Sequence, residues 1–98
     1  MLLKNPPSLM GVALRVYPRY RVVNYEPVVI ETEKGYVRIA DQGLSRLLLL
    51  IAHMPGADVE KIAWAYVVSA ENDDIDGSLE EARVLLKDLE KKGLILVV

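Results

Sequence analysis

The spacing of hydrophobic residues changes at Asp41, and this change constrains the fold more than any other feature of the chain. Before it, three segments are rich in β-branched and aromatic residues, as strands are. They are YRVVNY (20–25), VVIET (28–32) and YVRI (36–39). After it, apolar residues recur with the period of a helix, beginning with Leu44, Leu47, Leu48 and Ile51. This order predicts an α+β domain in which strands come first and helices follow.

The strand half is predicted to be antiparallel. Pro27 separates the first two strands and belongs at a turn or strand start, because proline cannot donate to a central ladder. Glu33-Lys34-Gly35 is predicted to be a hairpin turn in which the glycine adopts a positive φ. The earlier segment GVALRVY (11–17) also alternates, as a further strand or an extended arm would. We therefore expect an N-terminal β-hairpin or three-stranded sheet.

Three helices are predicted in the second half. Asp41 is a suitable N-cap for the first helix, which Pro55-Gly56 ends. The second helix runs from about Asp58 to Ala70. The third follows a capping box at Ser78-Leu79-Glu80-Glu81 and stops at Gly93, where a C′ glycine is expected. This half is predicted to be a winged-helix-like three-helix arrangement.

The two ends of the chain are predicted from the same pattern. Leu94 to Val98 is apolar and is expected to be a strand or an extended tail packed on the core. Residues 1–18 are predicted to be an N-terminal arm or an extra strand. Residues 19–98 are predicted to be the winged-helix-type domain.

Composition excludes several classes of chemistry. The 98 residues, a length typical of one domain, contain no cysteine, so disulfides and thiolate metal sites are excluded and a cytoplasmic protein is expected. His53 is the single histidine and lies near a helix end, where a cation is favoured. The acidic loop before the third helix lacks the final glutamate of a calcium loop, because that position is Arg83. We predict no metal, no cofactor, no enzymatic activity and no membrane-spanning segment.

Charge disfavours nucleic-acid binding. Residues 41–98 carry six basic and eleven acidic side chains, whereas a protein that holds a DNA backbone normally has a basic surface. Glu80 and Glu81 lie in the first turn of the third helix, where a recognition helix would approach the major groove. A wing hairpin would be expected to follow Gly93-Leu94-Ile95, and the residues there predict none. A winged-helix-type regulator that binds nucleic acid therefore stands only as an alternative.

The strand KGYVRI (34–39) is the last one before the helices, which predicts a place at the sheet edge. An open edge is a template for an added strand, which binds through its backbone and is selected by alternate side chains. Two other outcomes are comparable from sequence alone. The N-terminal arm covers this edge, or a second copy of the chain pairs with it as a homodimer.

Three stretches of the chain, residues 28–51, 53–67 and 75–95, share a family pattern. They resemble the PqqD family of small peptide chaperones from pyrroloquinoline quinone biosynthesis. VVIETEKGYVRIADQGLSRLLLLI is similar to the family's hairpin, strand and first helix start. HMPGADVEKIAWAYV is similar to its glycine-containing turn and second helix. IDGSLEEARVLLKDLEKKGLI is similar to its last helix and the Gly-Leu-Ile close that follows. The similarity spans about residues 19–97.

This resemblance implies a function and a site. Members of the family bind the leader of a precursor peptide as an extra strand and present it to a modifying enzyme, often a radical SAM protein. Carried over to this chain, the pairing edge is Gly35, Tyr36, Val37, Arg38 and Ile39. The facing side of the third helix supplies Arg83, Leu86, Lys87 and Glu90. The sequence therefore predicts a non-catalytic peptide-binding domain, and the second alternative is a dimerising structural or interaction protein.

Overall fold

A computed structural model describes residues 14–71 and 73–98 of the chain. The described residues form six strands and three helices, so the α+β prediction is confirmed. The strands are β1 (Arg15–Pro18), β2 (Arg21–Tyr25), β3 (Val28–Thr32), β4 (Gly35–Ile39), β5 (Ala57–Asp58) and β6 (Ile95–Val97). The helices are α1 (Gln42–His53), α2 (Val59–Ala70) and α3 (Ile75–Lys91).

The larger sheet is the antiparallel meander that the strand pattern predicts. Its order is β2-β3-β4, and β4 runs back along β3 from Thr32 opposite Gly35 to Val28 opposite Ile39. Gly35 follows the two-residue turn and has φ +119°, a conformation that glycine adopts without the penalty a side chain would bring. The Thr32 hydroxyl donates to the Gly35 carbonyl and closes the turn further.

A second, smaller sheet was not predicted. Its order is β5-β1-β6, so a strand from the start of the described chain lies between strands from its middle and its end. Arg15 and Val98 exchange two backbone hydrogen bonds, at 2.6 and 3.0 Å. The predicted strand at 11–17 is found at Arg15–Pro18, and its residues 11–13 lie outside the described residues. Of the two forms predicted for the C-terminal residues, a strand or an extended tail, the structure has the strand, which pairs with β1.

Two of the three helix starts agree with the sequence. The Asp41 side chain accepts a hydrogen bond from the Leu44 amide at 2.8 Å, as an N-cap of α1 should. Asp58 caps α2 in the same way through the Glu60 amide. The short strand β5 ends at this same aspartate, so one residue finishes a strand and starts a helix.

The predicted start of α3 is wrong. Ser78 is not the N-cap, because it lies one turn inside the helix and is buried. Asp74 is the N-cap, and its side chain accepts a hydrogen bond from the Gly77 amide at 3.0 Å. The helix starts one turn earlier than predicted, and Ser78 is only 5% exposed within it. Of the acidic residues at this junction, Asp76 lies in the first turn of α3, whereas Asp73 comes before the N-cap Asp74.

One hydrophobic core joins the larger sheet and the helices. Val28 and Ile30 from β3 pack with buried leucines and isoleucines of the three helices. Val16 and Ile95 bring the smaller sheet into the same core. No helix of the described residues is long and apolar enough to cross a membrane.

Candidate functional site

Strand β4 has one free edge. It pairs with β3 on one side, and the sheet order places no other strand of the described chain on the opposite side. The N-terminal strand β1 pairs with β5 and β6 instead, so the described part of the N-terminal segment does not cover this edge. The sequence-based expectation of an edge position for this strand agrees with the structure.

The backbone groups that point outward from β4 follow from its register. Thr32 and Gly35 flank a two-residue turn, so they form a hydrogen-bonded pair, and such pairs alternate along an antiparallel ladder. Val37 and Ile39 are the next members of the hydrogen-bonded set. The N–H and C=O groups of Tyr36 and Arg38 therefore point away from β3, where an added strand would find them.

The side chains of β4 divide between two faces. Val37 and Ile39 lie on the inner face, because their partners on β3 are the buried Ile30 and Val28. Val37 is nevertheless 43% exposed, since no strand lies beside it at the edge. Tyr36 is on the outer face and is 70% exposed. The edge thus offers an incompletely covered apolar side chain on one face and a solvated aromatic ring on the other.

Arg38 is a cation without a partner among the described residues. It lies on the outer face opposite Val29, so no carboxylate stands across the strand from it. The neighbouring outer-face pair is satisfied, because Arg21 and Glu31 form an ion pair at 2.6 Å. No hydrogen bond or ion pair joins Arg38 to another described residue.

A groove of about 490 Å³ opens where β4 ends against α1, and we call it the α1 groove. Its lining includes Arg38 and Ile39 of β4, Leu49 and Arg46 of α1, and the turn at Pro27. Sequence reasoning missed this groove. The signal was present, because only two residues separate Ile39 from the start of α1, and so short a link fixes the helix beside the strand end.

The four α3 residues of the predicted site come together, but not with β4. Arg83, Leu86, Lys87 and Glu90 line a second groove of about 440 Å³ with residues of α2 and the smaller sheet. We call this the α3 groove. The helix that packs against β4 is α1, whereas α3 packs against α2 and β6. Of the strand part of the predicted peptide site, Arg38 and Ile39 line the α1 groove, whereas the four α3 residues line the α3 groove.

The charges around the α3 groove are mixed. Arg83 forms an ion pair with Glu60 at 3.1 Å, and Glu90 and Glu80 share the lining with Lys87. Alternating signs of this kind do not make the continuous basic surface that a nucleic-acid backbone requires. Apolar residues share this lining, among them the buried Leu86 and the half-buried Val97.

Tyr66 joins the three helices in a polar cluster beneath the surface. Its hydroxyl donates to the Glu81 carboxylate on α3, and the Arg46 guanidinium of α1 lies 4.6 Å from the ring centroid. Burial, reinforced by the negative charge of Glu81, raises the pKa of Tyr66 to about 12. Arg46 also donates through Nε to the Ser69 hydroxyl at 3.2 Å. These contacts hold Arg46 toward α2, so it is a structural cation rather than a free one.

The remaining titratable candidates form no cluster. His53 Nδ1 donates to the Leu49 carbonyl at 2.8 Å, and its ring lies 6.3 Å from that of Tyr25, as suits a helix-terminal histidine. Within the described ranges 14–71 and 73–98, no group of three or more histidine, cysteine, aspartate or glutamate side chains is arranged to hold a metal ion.

Comparison of the chain with protein-family models, with curated proteins and with solved structures found no match. The resemblance to the PqqD family therefore stays a prediction, and the function has to be argued from the surface itself.

Proposed function

We propose that this protein is a non-catalytic peptide-binding domain that takes up an extended peptide as a fourth strand beside β4. In the cytoplasm it presents that peptide to a separate modifying enzyme, as the resemblance to the PqqD family implies. In the form of this proposal that follows the PqqD family most closely, the peptide is the leader of a precursor and the enzyme is a radical SAM protein.

The observation that carries the proposal is the free edge of β4. The outward groups of Tyr36 and Arg38 supply two pairs of hydrogen-bonding positions in the register of an added strand. Val37 supplies apolar surface that an added strand would cover. Natural proteins usually protect such edges, because an open edge promotes unwanted pairing, so an unprotected one favours a binding role.

The α3 residues are given a secondary role in this proposal. Because α3 packs against α2 and β6, a peptide on β4 would contact α1 and the α1 groove first. Arg83, Leu86, Lys87 and Glu90 are then available to a different part of the complex, such as the modifying enzyme.

The proposal is tested by removing one outward amide without removing a bond to β3. Tyr36→Pro deletes the N–H that an added strand would use, whereas Tyr36→Thr removes the ring and keeps the amide. Short peptides encoded beside this gene are tested one by one, and we expect one of them to shift the backbone amide signals of β4 in the wild type and in Tyr36→Thr. With Tyr36→Pro, the affinity for the peptide should fall at least tenfold, while the amide spectrum remains that of a folded protein. Equal binding by the proline variant, or no shift in the wild type, contradicts strand addition.

A second candidate function is pairing of β4 with the same strand of a second copy. A two-fold antiparallel pairing centred on Val37 would place Tyr36 opposite Arg38 of the other copy. In that register the outward amide groups of both residues exchange hydrogen bonds, and each guanidinium lies beside a tyrosine ring. The edge is therefore self-complementary. A sedimentation series without peptide decides this, since a chain that stays monomeric at high concentration excludes the self-pairing.

A further inference from the structure

The free edge of β4 also restricts which peptides it can select. In an antiparallel or a parallel pairing, the added residue beside Arg38 lies on the outer face, as Arg38 does. That residue meets a guanidinium with no partner among the described residues. Across β4 the neighbouring residue is Val29, which offers neither charge nor hydrogen bond.

The adjacent peptide residues lie on the opposite face. One of them comes beside Val37, whose side chain is 43% exposed on the core side of the sheet. The other comes beside Ile39, where the added strand meets the α1 groove with Leu49 in its wall. Both positions remove apolar surface from water when the incoming side chain is apolar.

We infer that the peptide recognised at β4 carries an acidic side chain that binds Arg38, flanked on both sides by apolar residues. The inference rests on the proposed function, because it names the class of peptide that the strand edge takes. The cation supplies selection by charge, and Val37 and the α1 groove supply selection by hydrophobicity. Arg46 also lines the α1 groove, where its guanidinium lies over the Tyr66 ring and donates through Nε to the Ser69 hydroxyl.

The test uses three blocked synthetic peptides, acetylated at one end and amidated at the other so that no terminal charge takes part. The first is Thr-Thr-Val-Glu-Val-Thr-Thr, which has the same side-chain order in both directions and therefore presents its glutamate in either strand orientation. The second replaces the glutamate with glutamine. The third keeps the glutamate and replaces both valines with serine. Each is titrated into the isotope-labelled full chain while the amide signals of Tyr36 and Arg38 are followed.

We expect the glutamate peptide to bind about two- to fivefold more tightly than the glutamine peptide, the range typical of an exposed ion pair. The serine peptide should bind more weakly than the valine peptide. In Arg38→Gln the preference for glutamate should disappear, because the cation is gone. In the matched control Lys61→Gln, which removes an exposed cation of α2 that lines neither groove, the preference should persist.

The outcomes separate this inference from the proposed function. If the glutamate and glutamine peptides bind the wild type equally and both shift the β4 amide signals, strand addition stands and the inferred acidic preference is wrong. A glutamate preference that survives in Arg38→Gln, or that Lys61→Gln abolishes, also overturns the inference by assigning the charge to another site. If none of the peptides shifts the β4 signals, the inference fails together with strand addition.

Discussion

Gly43 shows how one missing methyl group can decide helix packing. A Cβ at this position would lie 2.7 Å from the Tyr66 hydroxyl and 3.2 Å from a carboxylate oxygen of Glu81. Tyr66 is 1% exposed, so its ring has little room to move. The absence of a side chain therefore lets α1 approach the Tyr66–Glu81 hydrogen bond closely.

We predict that Gly43→Ala destabilises the protein by about 1 kcal/mol or more, because overpacking outweighs the gain in helix propensity. Glycine-to-alanine changes inside helices usually have the opposite sign. Urea unfolding measures the difference. The control is the same substitution in a Tyr66→Phe background, where the hydroxyl is gone and Gly43→Ala should be neutral or stabilising. Equal costs in both backgrounds would place the strain elsewhere.

The raised pKa of Tyr66 leads to a second prediction for a single residue, which concerns stability at high pH. The pKa rises from its ordinary value of 10.0 to about 12, so the folded protein keeps a proton that the unfolded chain releases. The contribution of Tyr66 to stability is complete below pH 10 and is lost as the pH rises toward 12. Burial also raises the pKa of Tyr20. A comparison of wild type with Tyr66→Phe isolates Tyr66, because Tyr20 is present in both.

We expect the free energy of unfolding to fall less steeply between pH 10 and pH 12 in Tyr66→Phe than in wild type. At neutral pH the variant should lose about 0.5–1.5 kcal/mol, the value of one hydrogen bond. Denaturant unfolding at several pH values measures both effects. Parallel curves for the two proteins would mean that Tyr66 ionises as freely in the folded state as in the unfolded one.

At the level of elements, the start of α3 depends on Asp74 rather than on Ser78. We predict that Asp74→Ala costs about 1 kcal/mol, the usual loss for an N-cap. Ser78→Ala should cost less than about 0.5 kcal/mol, because the buried hydroxyl lies inside the helix, where alanine is the best helix former. Helix content and thermal unfolding distinguish the two. A larger loss for Ser78→Ala would restore the capping box as the start of the helix.

Sequence reasoning predicted the larger elements because their signals are local. The alternation in β3 and the leucine spacing in α1 each identify one buried face. The start of α3 was missed because Asp74 and Ser78 both have a side chain suited to an N-cap, and the burial of Ser78 is visible only in the folded chain. The separation of β4 from α3 was missed for a related reason, since the positions of two distant elements depend on every contact between them.

For the whole molecule, the smaller sheet ties the start of the described chain to its end. We predict that ending the chain at Leu94 costs at least about 3 kcal/mol, because it exposes the Ile95 site and removes the β6 hydrogen bonds to β1. Thermal unfolding measures the loss. The control Leu96→Thr changes an exposed side chain of β6 and keeps the backbone, so it should be close to neutral.

This sheet could not have been predicted as a unit. Its strand β5 has two residues and its strand β6 has three, too few for a periodic pattern. Leu94 to Val98 was expected to be a strand or an extended tail packed on the core, and no partner strand was predicted for it. The partner is β1, and only the folded arrangement of the three helices brings that strand between the other two.

The paired ends also determine how the molecule responds to a pulling force. Arg15 and Val98 lie directly opposite each other at the same end of the β1–β6 ladder. A load applied through the chain on both sides of this pair opens an antiparallel ladder one hydrogen bond at a time, because the bonds lie along the direction of separation. A protein-unfolding enzyme that pulls on the chain at either side of this pair would therefore break the ladder hydrogen bonds one after another and not all at once. Strands β1 and β6 would then be released before the helices.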